Sequence, residues 1–180
     1  MSDVNYRSIA DTTDVNIIDE VIDAPSPSQF DDILKISCAS RVNVTNTAIN
    51  LSGGNLEDGV DIMRISEDIN FTNCEVGAGA KYCFTIKGGS SRITLQDVTI
   101  TRPGGGIERV DIDLGNFSDR DYGPTTKVAL INVTRLDGKP VRVRVGNADA
   151  PQIIGGNVKV LIIQSLALKL YVWIKNKFIP

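Results

Sequence analysis

The sequence predicts an all-β fold, a short parallel β-helix of about five coils, on three observations. An alternating apolar phrase with a turn residue in its middle recurs along the 180 residues, starting at residues 41, 68, 92, 127 and 157. Within each phrase the apolar side chains repeat with period two, and helical period is absent. A shorter apolar triplet precedes each phrase and ends in a polar or glycine corner. A unit of this size cannot bury its apolar face alone, so it must stack on copies of itself.

The phrases run Arg41–Ile49, Asp68–Val76, Arg92–Ile100, Lys127–Arg135 and, more loosely, Asn157–Ser165. Alternation places Val42 and Val44, Ile69 and Phe71, Ile93 and Leu95, Val128 and Leu130, and Val158 and Val160 in one interior. After the turn the interior column resumes with Thr47, Cys74, Val98, Val133 and Ile163, then with Ile49, Val76 and Ile100, until Arg135 and Ser165 break it. The preceding strands are Leu34–Ile36, Met63–Ile65, Phe84–Ile86, Ile112–Leu114 and Val143–Val145, which gives three short strands per coil. At the turn stand Asn46, Asn73, Asp97 and Asn132, residue types that tolerate left-handed backbone. Stacked, they form a ladder of side chains that satisfies corner backbone groups left open by strand pairing.

A strand spacing of about 4.8 Å makes the stack roughly 20 to 25 Å tall, with two ends whose strand edges need covering. Apolar residues make up 42% of the chain, enough for one domain with a core, and the net charge of −3 disfavours nucleic acid as a partner. Cys38, Cys74 and Cys83 lack ligand spacing and are read as reduced thiols filling packing positions. Met1–Arg7 is polar rather than a basic, apolar leader, which sets the expectation of synthesis and assembly in a cytoplasm.

The two ends differ in sign. Between Asp11 and Asp32 lie seven acidic residues and no basic one, with Pro25-Ser-Pro27 before the first recognised strand. Residues 1–31 are therefore read as an acidic arm or cap, with Asp14, Ile17, Ile18, Asp19, Glu20 and Val21 as the face that would dock on a basic partner. Residues 32–165 form the β-helix. In 166–180, Leu166, Leu168, Leu170, Val172 and Ile174 alternate with Ala167, Lys169, Tyr171, Trp173 and Lys175. Lysines interrupt this segment too often for a membrane span. So apolar a strand is expected to cap the last coil or to be buried between chains, together with Trp173. Ile33 and Ile62, read as outward-facing beside Cys83, would add an apolar outer patch to that interface.

Histidine is absent, which removes Ser-His-Asp and Cys-His catalysis and imidazole metal ligation. No cofactor or metal is expected. Paired carboxylates remain as candidate glycosidase or lyase chemistry, and the best pair is Asp111 and Asp113, one residue apart on a strand. If Ile112 and Leu114 stack on Val143 and Val145, Asp111 meets Arg142 and Asp113 meets Arg144 as surface ladder pairs. That structural role is expected to outweigh a catalytic or Ca²⁺ role, since few aromatic residues are present to bind sugar. Gly104-Gly-Gly106 after Pro103 reads as a flexible corner, because no Gly-Lys-Ser/Thr follows.

The repeat resembles the right-handed parallel β-helix family, the pectate-lyase-like and viral tailspike-like proteins, over residues 32 to about 165. The motifs of its pectin-cleaving members have no counterpart here. What the resemblance implies is a right-handed coil and a building part, most like the short β-helical trimers of bacteriophage virions. The expected function is non-enzymatic: a homotrimeric capsid decoration (cement) protein that bridges coat subunits in the virion, its many weak contacts multiplied by avidity. The partners would be further copies of the chain and the major capsid protein or another virion protein. The alternative is a polysaccharide-binding or polysaccharide-cleaving β-helix of a tail appendage.

Overall fold

The computed structural model describes residues 5–105, 109–115 and 122–162. These residues form an all-β solenoid of about five turns in which each strand pairs in parallel with the strand of the neighbouring turn. The strands are β1 Arg7–Ala10, β2 Thr13–Ile18, β3 Val21–Ile22, β4 Leu34–Ser37, β5 Ser40–Thr45 and β6 Ala48–Ile49. Next come β7 Val60–Met63, β8 Glu67–Thr72, β9 Glu75–Gly77, β10 Phe84–Ile86, β11 Ser91–Gln96 and β12 Thr99–Arg102. The upper turns hold β13 Ile112–Leu114, β14 Thr126–Ile131, β15 Thr134–Arg135, β16 Val141–Val145, β17 Gln152–Ile154 and β18 Val158–Ile162. Up to β17 every third strand returns to the same sheet, and β18 rejoins the first after two: a first sheet runs β1-β4-β7-β10-β13-β16-β18, a second β2-β5-β8-β11-β14-β17 and a third β3-β6-β9-β12-β15.

The register follows the repeated phrase. Val42, Ile69, Ile93 and Val128 lie in one column, Val44, Phe71, Leu95 and Leu130 in the next, and all are buried. Phe71 meets Phe84 of the first sheet edge to face at 5.3 Å across the interior. The shortest strands continue the column with Ile22, Ile49, Val76 and Ile100.

Four expectations are corrected. Residues 7–22, within the segment read as an acidic arm or cap, are the first turn of the solenoid: β1, β2 and β3 pair in register with β4, β5 and β6. Ile17 therefore sits fully buried beneath Val44 rather than on a docking face. The signal was present, because Asp14-Val-Asn-Ile repeats at Arg41-Val-Asn-Val and Asp68-Ile-Asn-Phe with one constant interval; the acidic composition outweighed it. Second, the strand of the third turn is Val60–Met63, with Val60 and Ile62 above Leu34 and Ile36, not Met63–Ile65. Arg64 and Ile65 are instead corner residues in the left-handed region, at φ 55° and 61°. Third, the Asn157 phrase belongs to the first sheet, where Val158 and Val160 pair with Val141 and Val143. Fourth, Ile33 and Ile62 are both buried, as is Cys83, so they offer no outer patch to a partner. Ile62 points inward because the register moved by one strand position, and Ile33 and Cys83 belong to the same buried core cluster.

The tail residues Leu166, Leu168, Leu170, Val172, Trp173 and Ile174 lie outside the described residues. Among the described residues no helix is long and apolar enough to cross a membrane.

Candidate functional site

The corner between the second and third sheets is built as the sequence implied, and one step further. Asp19, Asn46, Asn73, Asp97 and Asn132 all take left-handed backbone, with φ between 50° and 56°. Asn46 Nδ2 donates to Asp19 Oδ1 at 3.0 Å, Asn73 to Asn46 Oδ1 at 2.8 Å, and Asn132 to Asp97 Oδ1 at 3.0 Å. The column closes on Gly155, φ 67°, where a Cβ would come 2.3 Å from Asn132 Oδ1. Short polar side chains that can tolerate this backbone and bond one turn down explain the residue choice. The role is structural.

A second column occupies the second position of β2, β5, β8 and β11 in the second sheet. Arg41 holds Asp14 through Nε and Nη2 at 2.6 and 2.8 Å, and Arg92 holds Asp68 at 2.5 and 2.9 Å. The guanidinium partners keep both carboxyls below the usual aspartate range. Asp14 is thus paired within the solenoid, and Glu20 is paired with Arg7. Of the residues assigned to a docking face, Asp14, Ile18, Asp19 and Val21 are exposed, and Ile18 and Val21 are the apolar ones among them.

The outer face of the first sheet is unusual because it is buried from β4 to β13. Lys35, Asp61, Thr85 and Asp113 occupy successive outward positions and all are under cover. Asp32 and Asp58 lie at the start of the same strip, where Asp58 N–H donates to Asp32 Oδ1 and Tyr82 N–H donates to Asp58 Oδ1, both at 3.2 Å. Lys35 Nζ stands 3.7 Å from both Asp32 and Asp61, and Lys87 Nζ 3.3 Å from Asp61. Burial, with the neighbouring Asp61 carboxylate, pushes Asp32 and Asp58 up to about 7. Oxygens of Asp32, Glu57 and Asp58 lie within 4.8 Å of one another, the one group among the described residues that could geometrically hold a metal ion. Glu57 is already paired with Lys81.

Asp111 and Asp113, the candidate catalytic pair, are both buried, not on the surface as expected. Asp113 does stack on Arg144, which binds it through Nε at 2.8 Å and Nη2 at 2.5 Å. Asp111 takes a different role from the one expected. It accepts the backbone N–H groups of Gly104 at 3.0 Å and Arg142 at 2.9 Å, and Arg135 Nη1 lies 3.4 Å away. Its carboxylate ties the loop at Gly104 to strand β16, and the Arg142 side chain does not bond to it. Neither carboxylate has a bare oxygen facing an open cleft.

Cys74 and Cys83 are buried thiols, and burial raises both above the ordinary range. Cys38 departs from the packing expectation: it is exposed at a left-handed corner, φ 51°.

The loop and strand that Asp111 ties together border an open cavity of about 570 Å³ that sequence reading missed. Its walls carry Arg109, Arg135, Lys139, Arg142 and Lys159 against the single carboxylate of Asp137. The residues come from three separate turns, so no local spacing announced them. No protein-family model matches the chain, and comparison with curated proteins finds no relative.

Proposed function

We propose that this chain is a non-enzymatic structural part of a bacteriophage virion, most like a homotrimeric decoration protein that stabilises a capsid by bridging coat subunits. The observation that supports this reading best is the fate of Asp111 and Asp113. Catalysis by a carboxylate pair needs one oxygen to meet substrate and a second to activate water or attack. Here both groups are consumed in fixing loops and strands. The cleaving form of the alternative, a polysaccharide-degrading appendage, loses its best residues on that account.

Two further features favour assembly. Among the described residues the outer edges of β1, β2 and β3 have no strand neighbour, and beside them Ile18 and Val21 are 56% and 70% exposed. Such edges are templates for pairing with another chain. The second is a sequence pattern, the apolar alternation of residues 166–180, of the kind that favours burial between chains.

Light scattering at two concentrations tests the reading. A concentration-independent trimer is the expected result, and Leu168→Asp with Val172→Asp should yield smaller species. A stable monomer that fails to sediment with phage capsids would overturn it.

A further inference from the structure

The solenoid mostly stacks opposite charges on neighbouring turns: Arg41 on Asp14, Arg92 on Asp68, Arg144 on Asp113. At the cavity it does the reverse. Arg142 of β16 and Lys159 of β18 are direct register partners, like charges about 4.8 Å apart along the stack. Directly opposed like charges destabilise a strand pair. Neither side chain has an ion pair or hydrogen-bond partner among the described residues, and nor does Arg109 on the facing loop.

Arg135 adds a built element. Its side chain is 8% exposed, fixed by Asp137 at 2.9 and 2.6 Å and by buried Asp111 at 3.4 Å. Those bonds use one N–H each on Nε, Nη1 and Nη2, which leaves two guanidinium hydrogens without an acceptor among the described residues. Asp111 also anchors both walls through the Gly104 and Arg142 backbones, so the cationic groups sit on a preorganised frame. Gly104 itself packs against the chain so closely that a Cβ would come 1.7 Å from Val110 O. Five cations thus line a cavity with one lining carboxylate and one buried behind it, in a chain whose net charge is −3. The volume of about 570 Å³ lies within the range of small-molecule sites.

We propose that this cavity binds a compact oligoanion, a molecule carrying two or more phosphate or carboxylate groups close together. One group bridges Arg142 and Lys159, relieving their repulsion, and another meets Arg109 and the free edge of Arg135. The inference stands apart from the virion reading and needs no partner protein. The ligand could be a phosphorylated compound or an acidic sugar, which share this chemistry.

Isothermal titration calorimetry on the full chain at low salt separates these, with inorganic tripolyphosphate and a uronic-acid disaccharide as probes and the neutral parent disaccharide as control. One anion is expected to bind one to one, more weakly as NaCl is added. The probe that binds identifies the source. Arg142→Gln with Lys159→Gln should weaken binding about tenfold or more. Because the two side chains have no partner to lose among the described residues, the double variant without ligand should melt at or above the wild-type temperature, which separates lost recognition from lost folding. Arg109→Gln, at an exposed position, is a second variant expected to weaken binding. Absence of binding by both anions at millimolar concentration, equal binding by the double variant, or equal binding of the neutral sugar would each overturn the proposal.

Discussion

Arg144 and Asp113 face each other across adjacent strands as a bidentate ion pair, at 2.8 and 2.5 Å, with the aspartate almost wholly buried. Arg144 Nη2 also reaches the Tyr82 hydroxyl at 2.7 Å, and its guanidinium lies 5.1 Å from the centre of that ring. The pair therefore joins three turns. Asp113→Ala would leave the guanidinium in a largely covered place with its main partner gone, and a loss of about 2 to 4 kcal/mol is expected in urea unfolding. A change under about 0.5 kcal/mol would show that the pair supplies register alone.

Arg102 is a staple of a different kind. It donates to the carbonyls of Asn50, Leu51, Ser52 and Ala78, at 2.7 to 3.1 Å, and so holds a long corner loop against the third sheet. Lysine cannot reproduce a planar fork that serves four acceptors. Arg102→Lys should cost about 2 kcal/mol, and the segment Asn50–Asn55 should exchange its amide hydrogens faster.

Ile65 occupies a left-handed corner at φ 61° and is 60% exposed, whereas the next turn places Gly88 at φ 62° and Gly89 at φ 72° in its corner. A β-branched residue is strained there and gains little burial in return. Ile65→Gly or Ile65→Asn is expected to stabilise the chain by about 1 kcal/mol, measured as a higher denaturant midpoint with unchanged slope.

Asp32 and Asp58 make stability fall with rising pH. Burial raises both carboxyls to about 7 in the folded chain, against an ordinary value of 3.8. Between those values the folded state holds more protons than the unfolded one. Their contribution is complete below about pH 4 and is lost as pH climbs through 7. Thermal unfolding at pH 5 and pH 8 should show the higher midpoint at pH 5, and Asp58→Asn should flatten the difference and raise the midpoint at pH 8. An equal slope in that variant would place the effect on other groups.

Much of this protein was legible because it is repetitive and local. The period-two phrase fixes which side chains enter the interior, and Asn46, Asn73, Asp97 and Asn132 mark the corner because few residue types accept its backbone at low cost. The same logic reached Asp113 on Arg144, one column out from a register that the apolar residues Ile112 and Val143 had set. The first turn was legible in principle, since Asp14–Ile22 carries the phrase. Its acidic residues sit at corner and outward positions, where the interior is indifferent to charge, so composition misled.

Tertiary structure decided the rest. Whether Met63–Ile65 or Val60–Ile62 forms the strand is ambiguous by alternation, and the stacking of Ile62 on Ile36 and of Ile86 on Ile62 settles it. The burial of Lys35, Asp61 and Asp113 depends on cover over the outer face of the first sheet, which period two cannot report. The cationic cavity arises because one buried carboxylate, Asp111, captures backbone groups thirty-eight positions apart, from Gly104 to Arg142. A periodic pattern encodes what each turn repeats. The cavity is made of what the turns do not share, and only their stacking brings those residues together.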